Sequence, residues 1–550
     1  MYDDVLCDAI GGNNIFHHSF NLSATKRIDR NSVVVLAARQ DSFSLLDGLA
    51  PGADSAISST VVLMAVAEML HQDPAIRAAI SASSKKLLFA LFDGEAFDYI
   101  GSSDTVHQMV ANELPLADPY RISAEKLHSL YPSLNLTHLS HFIELSQLGQ
   151  YRRRRNGSTR QHQQGSFSGE EEEEIHQIFL HKDPKSAGVP TLVDLVNSIK
   201  TNAVGLNKIK VTEIEGSSSP LPPSSAQSFL KKRPATVEDG HFAVLVAANH
   251  RQGYLNRHYN SFLEDGQDFV PAKVLARRLT DLATLFGRVL YQLVTGRALT
   301  PDVRASERTV SDLLTCYLNN SNCRLFQEVA GAEETKLING TQPPYSTYVS
   351  VFQTRNELRL VNRALLFRFT GQVMSGVPNA TECDRLGDAV EDKQFRYWWL
   401  YGSSLAGECV RSSAYMVPTT SPAIDPASLT VRTDLLSEYS LWTESKWQSS
   451  SVRLFVVPSP LQRALVVVLG LLVAAASLAV VWWVSRYGSG EGRLFFISGG
   501  SNSTGNNSSV CESISNINIG GSGGGSGGVG SRNMSSSNSS VGGGNEAETR

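Results

Sequence analysis

Two rhythms of apolar residues alternate along the chain. Short unbroken runs, Ser32 to Ala38, Leu87 to Phe92 and His241 to Ala248, lack polar alternation and predict strands covered on both faces, as in parallel sheets flanked by helices. Between them apolar residues recur at helical spacing. Val61, Val62, Ala65, Val66, Met69 and Leu70 predict a helix over Ile57 to His71, and Leu275, Leu279, Leu282, Phe286, Val289 and Leu293 another over Val274 to Val294. Strand, helix, strand is the βαβ unit, and its recurrence predicts an α/β fold. His138, His141 and Glu144 also stand at helical spacing and predict a helix at the surface or the core edge.

A different pattern closes the chain. Ala464 to Val484 holds no charge over 21 residues, enough at 1.5 Å per residue to cross a hydrocarbon core of ~30 Å. Trp482, Trp483 and Tyr487 would form an aromatic belt at one end. Arg453 and Arg463 on one side nearly balance Arg486 and Arg493 on the other, so flanking charge does not orient the span. Gly470 with Ala474, and Ala475 with Ala479, are small-residue pairs that let a second helix approach, or simply fill an ordinary anchor. Residues 485–550 predict a mostly disordered Gly/Ser/Asn-rich tail. Its Gly-x-Ser-x-Gly at Ser526 is a product of composition, with neither strand nor helix around it.

The candidate chemistry lies where the predicted strands end. Leu87 to Phe92 leads into Asp93-Gly94-Glu95-Ala96, and Ser32 to Ala38 into Arg39-Gln40-Asp41, then Ala50-Pro51-Gly52-Ala53-Asp54-Ser55-Ala56. Open α/β sheets place ligands at such carboxyl edges. The order resembles a di-zinc aminopeptidase with its metal chemistry removed. Where that family carries His, a bridging Asp and a ligand Glu, this chain has Arg39, Ser55 and Ala96, while Asp41 and Glu95 remain. A guanidinium offers no lone pair and an alanine methyl cannot coordinate. No metal or other cofactor is expected.

The kept scaffold and erased metal site resemble the nicastrin family, the glycoprotein subunits of γ-secretase. The resemblance is carried by residues 50–56, by Gly94-Glu95-Ala96-Phe97-Asp98-Tyr99-Ile100-Gly101-Ser102-Ser103, by Pro220-Leu221-Pro222-Pro223-Ser224-Ser225 and by Tyr439-Ser440-Leu441-Trp442-Thr443-Glu444-Ser445-Lys446-Trp447, in family order. It reaches from Asp4 to about Ile497. It implies an aminopeptidase-like mixed sheet flanked by helices over residues 31–455, a disordered insertion at 151–174, one transmembrane helix at 464–484 and a cytosolic tail. It also implies a non-catalytic role beside presenilin and the two other small membrane subunits, with type I membrane protein stubs as substrates, in a single-pass protein of the secretory and plasma membranes. Glu95, Asp98, Tyr99, Ile100, Gly101 and Ser102 are the implied recognition residues. Two readings of Glu95 stand side by side: it binds a substrate's free amino terminus, or it is buried and ties down neighbouring N–H groups while Asp98 caps a helix starting near Ile100. Steric exclusion of long ectodomains is compatible with both. A membrane-anchored zinc aminopeptidase with unorthodox ligands, or a receptor-like ectodomain without protease partners, are the alternatives.

Sequons and cysteines bear on topology. Asn21, Asn135, Asn156, Asn319, Asn339 and Asn379 each head Asn-x-Ser/Thr before the span, consistent with a lumenal or extracellular domain. Cys383 and Cys409 lie where the family forms a disulfide, and Cys316 and Cys323 are placed for a second, local one. Cys7 is left without a partner; the resemblance puts that partner in an N-terminal lobe, of which residues 1–30 would be a remnant. Those residues show no signal peptide, so the chain reads as N-terminally truncated.

Of 550 residues 41% are hydrophobic, ample for a large core, and the net charge of −4 provides no pull toward nucleic acid. The basic run Arg152 to Arg155 and acidic run Glu170 to Glu174 read as one solvated insertion.

Overall fold

In the computed structural model the chain divides into two compact units, residues 1–449 and 450–550. The structure describes residues 7–22, 27–120, 122, 126, 129–152, 175–186, 189–206, 208–214, 221–234, 241–330, 345–351, 356–389, 393–402, 406–426, 428–445 and 460–487. The sequons at Asn156 and Asn339, most of the insertion, and Ser526 lie outside them.

The first unit holds strands β1 (Cys7–Ala9), β2 (Gly11–His18), β3 (Val33–Arg39), β4 (Lys86–Phe92), β5 (Leu139–Leu145), β6 (His176–Lys182), β7 (Ile209–Glu213), β8 (Ala243–Ala248), β9 (Gln372–Val373), β10 (Arg396–Leu400), β11 (Glu408–Ser412), β12 (Tyr415–Thr420) and β13 (Thr443–Ser445). Eight of them form a mixed sheet in the order β12-β2-β4-β3-β5-β8-β6-β7, with β4, β3, β5 and β8 mutually parallel at its centre. Three of these four, β3, β4 and β8, are the strands read from apolar runs, and they are buried along nearly their whole length. The fold is the expected α/β class with a mixed sheet flanked by helices.

The helices are α1 (Ser59–Gln72), α2 (Pro74–Ala82), α3 (Ile100–Ala111), α4 (Pro190–Asn202), α5 (Ala226–Lys232), α6 (Ala272–Thr295), α7 (Glu307–Leu318), α8 (Arg324–Val329), α9 (Glu357–Thr370) and α10 (Ala380–Ala389). Alternate residues of β3 separate two cores. Val34, Leu36 and Ala38 join α1, α4, α6, α7 and α9 on one face, while Val33, Val35 and Ala37 join α3 and α5 on the other. Helix α1 is buried on every side from Ser59 to His71, which is why its apolar residues crowd beyond a single stripe. It is preceded by a π-helical turn, Ala53–Ser58, entered through Gly52 at φ 56°. A Cβ there would lie 2.7 Å from Ser42 Cβ, so both conformation and space require glycine.

One predicted element is overturned. His138, His141 and Glu144 share no helix: Leu136–His138 is a single 3-10 turn and Leu139–Leu145 is strand β5. All seven residues of β5 are buried, and pairing with β3 and β8 on its two edges satisfies its backbone and outweighs the local helical spacing. Disulfides join Cys316 to Cys323 between α7 and α8, and Cys383 in α10 to Cys409 in β11, with Cα separations of 5.3 and 5.5 Å. In the second unit α11 (Pro460–Tyr487) runs 28 residues, ~42 Å at 1.5 Å per residue, and its large apolar side chains are exposed throughout.

Candidate functional site: a carboxylate cluster at the carboxyl edge of the sheet

The carboxyl ends of β3, β4, β5 and β8 converge, because parallel strands share one direction. Asp41 follows β3, Glu95 follows β4, Glu144 is near the end of β5 and Asn249 follows β8. A loop carrying Tyr259, Asn260 and Glu264 closes over them.

Four carboxylates at this edge are aimed at backbone N–H groups. Asp41 accepts from the amides of Glu95 and Ala96, both at 2.9 Å. Glu95 accepts from Ser102 N at 2.7 Å, Ser102 Oγ at 2.8 Å and Ser225 Oγ at 2.7 Å. Glu144 accepts from the amides of Ser225 at 3.1 Å and Ala226 at 2.8 Å. Glu264 accepts from the amides of Asp54 at 3.0 Å and Ser55 at 2.6 Å, and also from Ser55 Oγ and Asn260 N. Three of these contacts cap helix starts, where orphan N–H groups and the positive dipole end favour an acidic partner: Glu95 caps α3, Glu144 caps α5 and Glu264 caps the π turn before α1. All four residues are under 5% exposed, so each depends on these bonds for compensation. Burial pushes the Glu95 carboxyl up to about 8, the hydrogen bonds from Ser225 and Ser102 opposing and the Asp41 charge adding to it. Burial likewise raises Glu144 to about 7 and Glu264 above the usual range.

The residues that stand in metal-ligand positions are also committed. Arg39 donates to Tyr259 Oη at 2.8 Å, Asn260 Oδ1 at 3.0 Å and the Asp41 carbonyl at 2.6 Å. Ser55 is bound to Glu264. Asp54 points away, accepting from Gly149 N, Ser58 Oγ, Tyr151 Oη and Asn249 Nδ2 at 2.6–2.9 Å. The space left among Arg39, Ser55, Tyr99, Glu144 and Tyr259 is a cavity of about 20 Å³, room for a single water. Among the described residues no three His, Cys, Asp or Glu side chains come together as metal ligands. The donor set does not fit a metal pair, since its oxygens are already occupied by N–H and O–H groups.

The expected recognition residues fall into two groups, with Asp98, Tyr99 and Ile100 together lining a cavity of about 300 Å³. Glu95 and Ser102 meet. Tyr99 lines the small cavity, held with Asp98 in the left-handed region at φ 60° and 57°. Ile100 is buried in a small apolar cluster with Ile10, Phe97 and Val349. Gly101 lets α3 press onto the end of β4, where a Cβ would stand 2.4 Å from the Asp93 carbonyl. Asp98 does not cap α3: the N-cap residue is Tyr99 with no side-chain bond, and Asp98 instead accepts from Ser440 Oγ. The left-handed backbone at both residues swings the Asp98 carboxylate out of capping geometry, and Glu95 takes that role from the preceding turn.

Sequence reasoning missed Glu144, Glu264, Tyr259 and Asn260. Glu144 left a signal, a lone charge inside the apolar run Phe142-Ile143-Glu144-Leu145; the loop residues left none. Of the predicted sequons, Asn21, Asn319 and Asn379 are exposed, and Asn135 is half-buried with its Nδ2 donating to Asn112 Oδ1 at 2.7 Å.

Comparison with known proteins gives a consistent picture. Residues 32–291 match the family model described as the nicastrin large lobe. The chain is 26% identical to Nicastrin of Homo sapiens over 508 residues, 88% of this chain and 63% of that one. It is 23% identical to Nicastrin of Arabidopsis thaliana over 475 residues, 82% of this chain and 61% of that one. It therefore spans under two thirds of the length of these relatives. The crystal structure of the γ-secretase component nicastrin superimposes with a TM-score of 0.56 at 19% identity, covering 80% of this chain and 68% of that one.

Proposed function

The chain belongs to the nicastrin family, and from that premise we propose that it is a non-catalytic subunit of γ-secretase. In this reading residues 31–455 form a lumenal ectodomain, α11 crosses the membrane, and the catalytic aspartates reside in presenilin. The observation that carries the inactive reading is the set of four carboxylates spent on backbone N–H groups, beside Arg39, Ser55 and Ala96 where metal ligands would be required. A di-zinc site needs free carboxylate and imidazole lone pairs around an open position; here the free volume holds one water.

The same geometry favours selection of type I stubs by steric exclusion over capture of a free amino terminus by Glu95. The Glu95 carboxyl is 3% exposed and surrounded by Ser102 and Ser225, so an incoming ammonium would have to open the start of α3 to reach it. The ectodomain's bulk requires no such residue.

Two measurements test the reading. Affinity purification of the tagged chain from detergent-solubilised membranes, with mass spectrometry and metal analysis, is expected to recover presenilin and the two other small membrane subunits with zinc far below stoichiometric. Recovery of the chain alone with stoichiometric zinc overturns it in favour of an aminopeptidase. Glycopeptide mass spectrometry is expected to find glycans at the exposed Asn21, Asn319 and Asn379, with lower occupancy at Asn135; unmodified asparagine at all four sinks the lumenal topology.

A further inference from the structure

Beside the carboxylate cluster, across β6 and the loop after β8, lies an open cavity of about 910 Å³, at the upper end of the range for ligand sites. Its charge is one-sided. Arg152, Arg251 and Arg257 line it with exposed guanidinium groups, and no carboxylate pairs with any of the three among the described residues. The one acid in the lining, Asp268, stands 3.5 Å from His258. All three arginines line the same cavity in a chain of net charge −4, and their planar forks suit carboxylates.

The rest of the cavity is built for a peptide. Ile175 and Leu255, 54% and 49% exposed, offer apolar surface in the same lining. On the floor, Asn249 Nδ2 donates to Asp54 and to the Gly149 carbonyl, so its Oδ1 accepts from His250 Nδ1 at 3.2 Å. That fixes the tautomer and leaves His250 Nε2, buried and without a partner, as a bare acceptor. Tyr151 and Asn249 of this lining are both tied to the Asp54 carboxylate.

We propose that this cavity docks an extended partner peptide in which acidic side chains alternate with apolar ones, the carboxylates meeting Arg152, Arg251 and Arg257 and the apolar residues lying on Ile175 and Leu255. The site is independent of Glu95 and of assembly with presenilin. It has the chemistry of a docking groove for an acidic segment of another chain.

The test is fluorescence anisotropy of a short labelled peptide alternating glutamate with leucine, titrated with the full chain purified in detergent. Saturable binding is expected, weakening with salt and falling about tenfold or more in Arg251→Glu/Arg257→Glu, since two attractive charges become repulsive ones. Both arginines are exposed, so the variant is expected to melt like the parent, which circular dichroism checks. The peptide with glutamine for glutamate is expected not to bind. Absence of binding by the glutamate peptide, or equal binding by the double variant, overturns the proposal. So does stronger, arginine-dependent binding of a sulfated oligosaccharide, which assigns the cavity to a glycan. Binding that appears only after Glu170 to Glu174 are replaced by glutamine also overturns it, because the occupant is then the chain's own acidic run.

Discussion

Arg359→Met is expected to destabilise the first unit by about 3–5 kcal/mol, the range for removing one partner of a buried ion pair, and so to abolish its accumulation at physiological temperature. Arg359 on α9 and Asp93 at the end of β4 are both 0% exposed, and the guanidinium reaches Asp93 Oδ1 through Nη2 at 2.7 Å and Nε at 2.8 Å. The other carboxylate oxygen accepts from Asn13 N at 2.9 Å, and Arg359 Nη2 also donates to the Thr347 carbonyl at 2.9 Å. The pair ties α9 to β2 and β4, next to the turn that delivers Glu95. Substituting the arginine alone leaves a buried anion with only one amide for compensation. A total stability of about 5–15 kcal/mol cannot absorb that loss comfortably. The check is a double-mutant cycle with Asp93→Asn, followed by thermal melting. Arg359→Met/Asp93→Asn is expected to be more stable than Arg359→Met, since the orphan charge is gone. Additive losses in the cycle would show the two side chains to be uncoupled.

The second large effect centres on Glu95. Glu95→Ala removes the cap of α3 and leaves Ser102 N–H and two hydroxyl groups buried without their acceptor, a loss of about 2–4 kcal/mol from the cap and the stranded donors together. Glu95→Gln keeps the volume and is expected to cost less. The same carboxyl gives stability a direction in pH. Its folded value of about 8 lies above its ordinary 4.5, so the neutral form is favoured by folding. Its contribution is complete below 4.5 and is lost as pH rises through 8. Glu144, raised to about 7, adds to that loss. Buried histidines such as His71 and His141, lowered to about 4, act oppositely, up to about a unit above their ordinary 6.5, while the unfolded chain still holds the proton. Above about pH 7.5, up through 8, the carboxyls therefore act alone among these groups. The Tm is expected to fall over that window, and Glu95→Gln to flatten part of the fall. A Tm that is constant or rises over the window would mean that Glu95 is ionised in the folded protein. For the proposed γ-secretase assembly, Glu95→Gln is further expected to leave a preference for short over long substrate ectodomains unchanged. A collapse of that preference with assembly intact would restore Glu95 as a substrate contact.

The α/β class, the central strands β3, β4 and β8 and the long helices α1, α6 and α11 were legible in the sequence: apolar patterning reports the burial of all of these but α11, which a charge-free apolar run of 21 residues gives instead. The mismatch of Arg39 and Ala96 with metal-ligand positions was legible too, since a guanidinium and a methyl offer no lone pair whatever surrounds them: donor chemistry is a property of the residue. What the carboxylates do instead was decided by tertiary structure alone. Glu144 meets Ser225 and Ala226 across 81 and 82 positions, and Glu264 meets Ser55 across 209; no local pattern encodes which N–H group a distant carboxylate will reach. Strand β5 overrode the helical spacing of His138, His141 and Glu144 because its two neighbouring strands, not its own sequence, supply its hydrogen bonds. Asp98, placed by sequence as a cap, lost that role to Glu95 through two left-handed backbone residues. Identity of side chain fixed which chemistry was impossible, while the packing of distant segments fixed which of the remaining contacts formed.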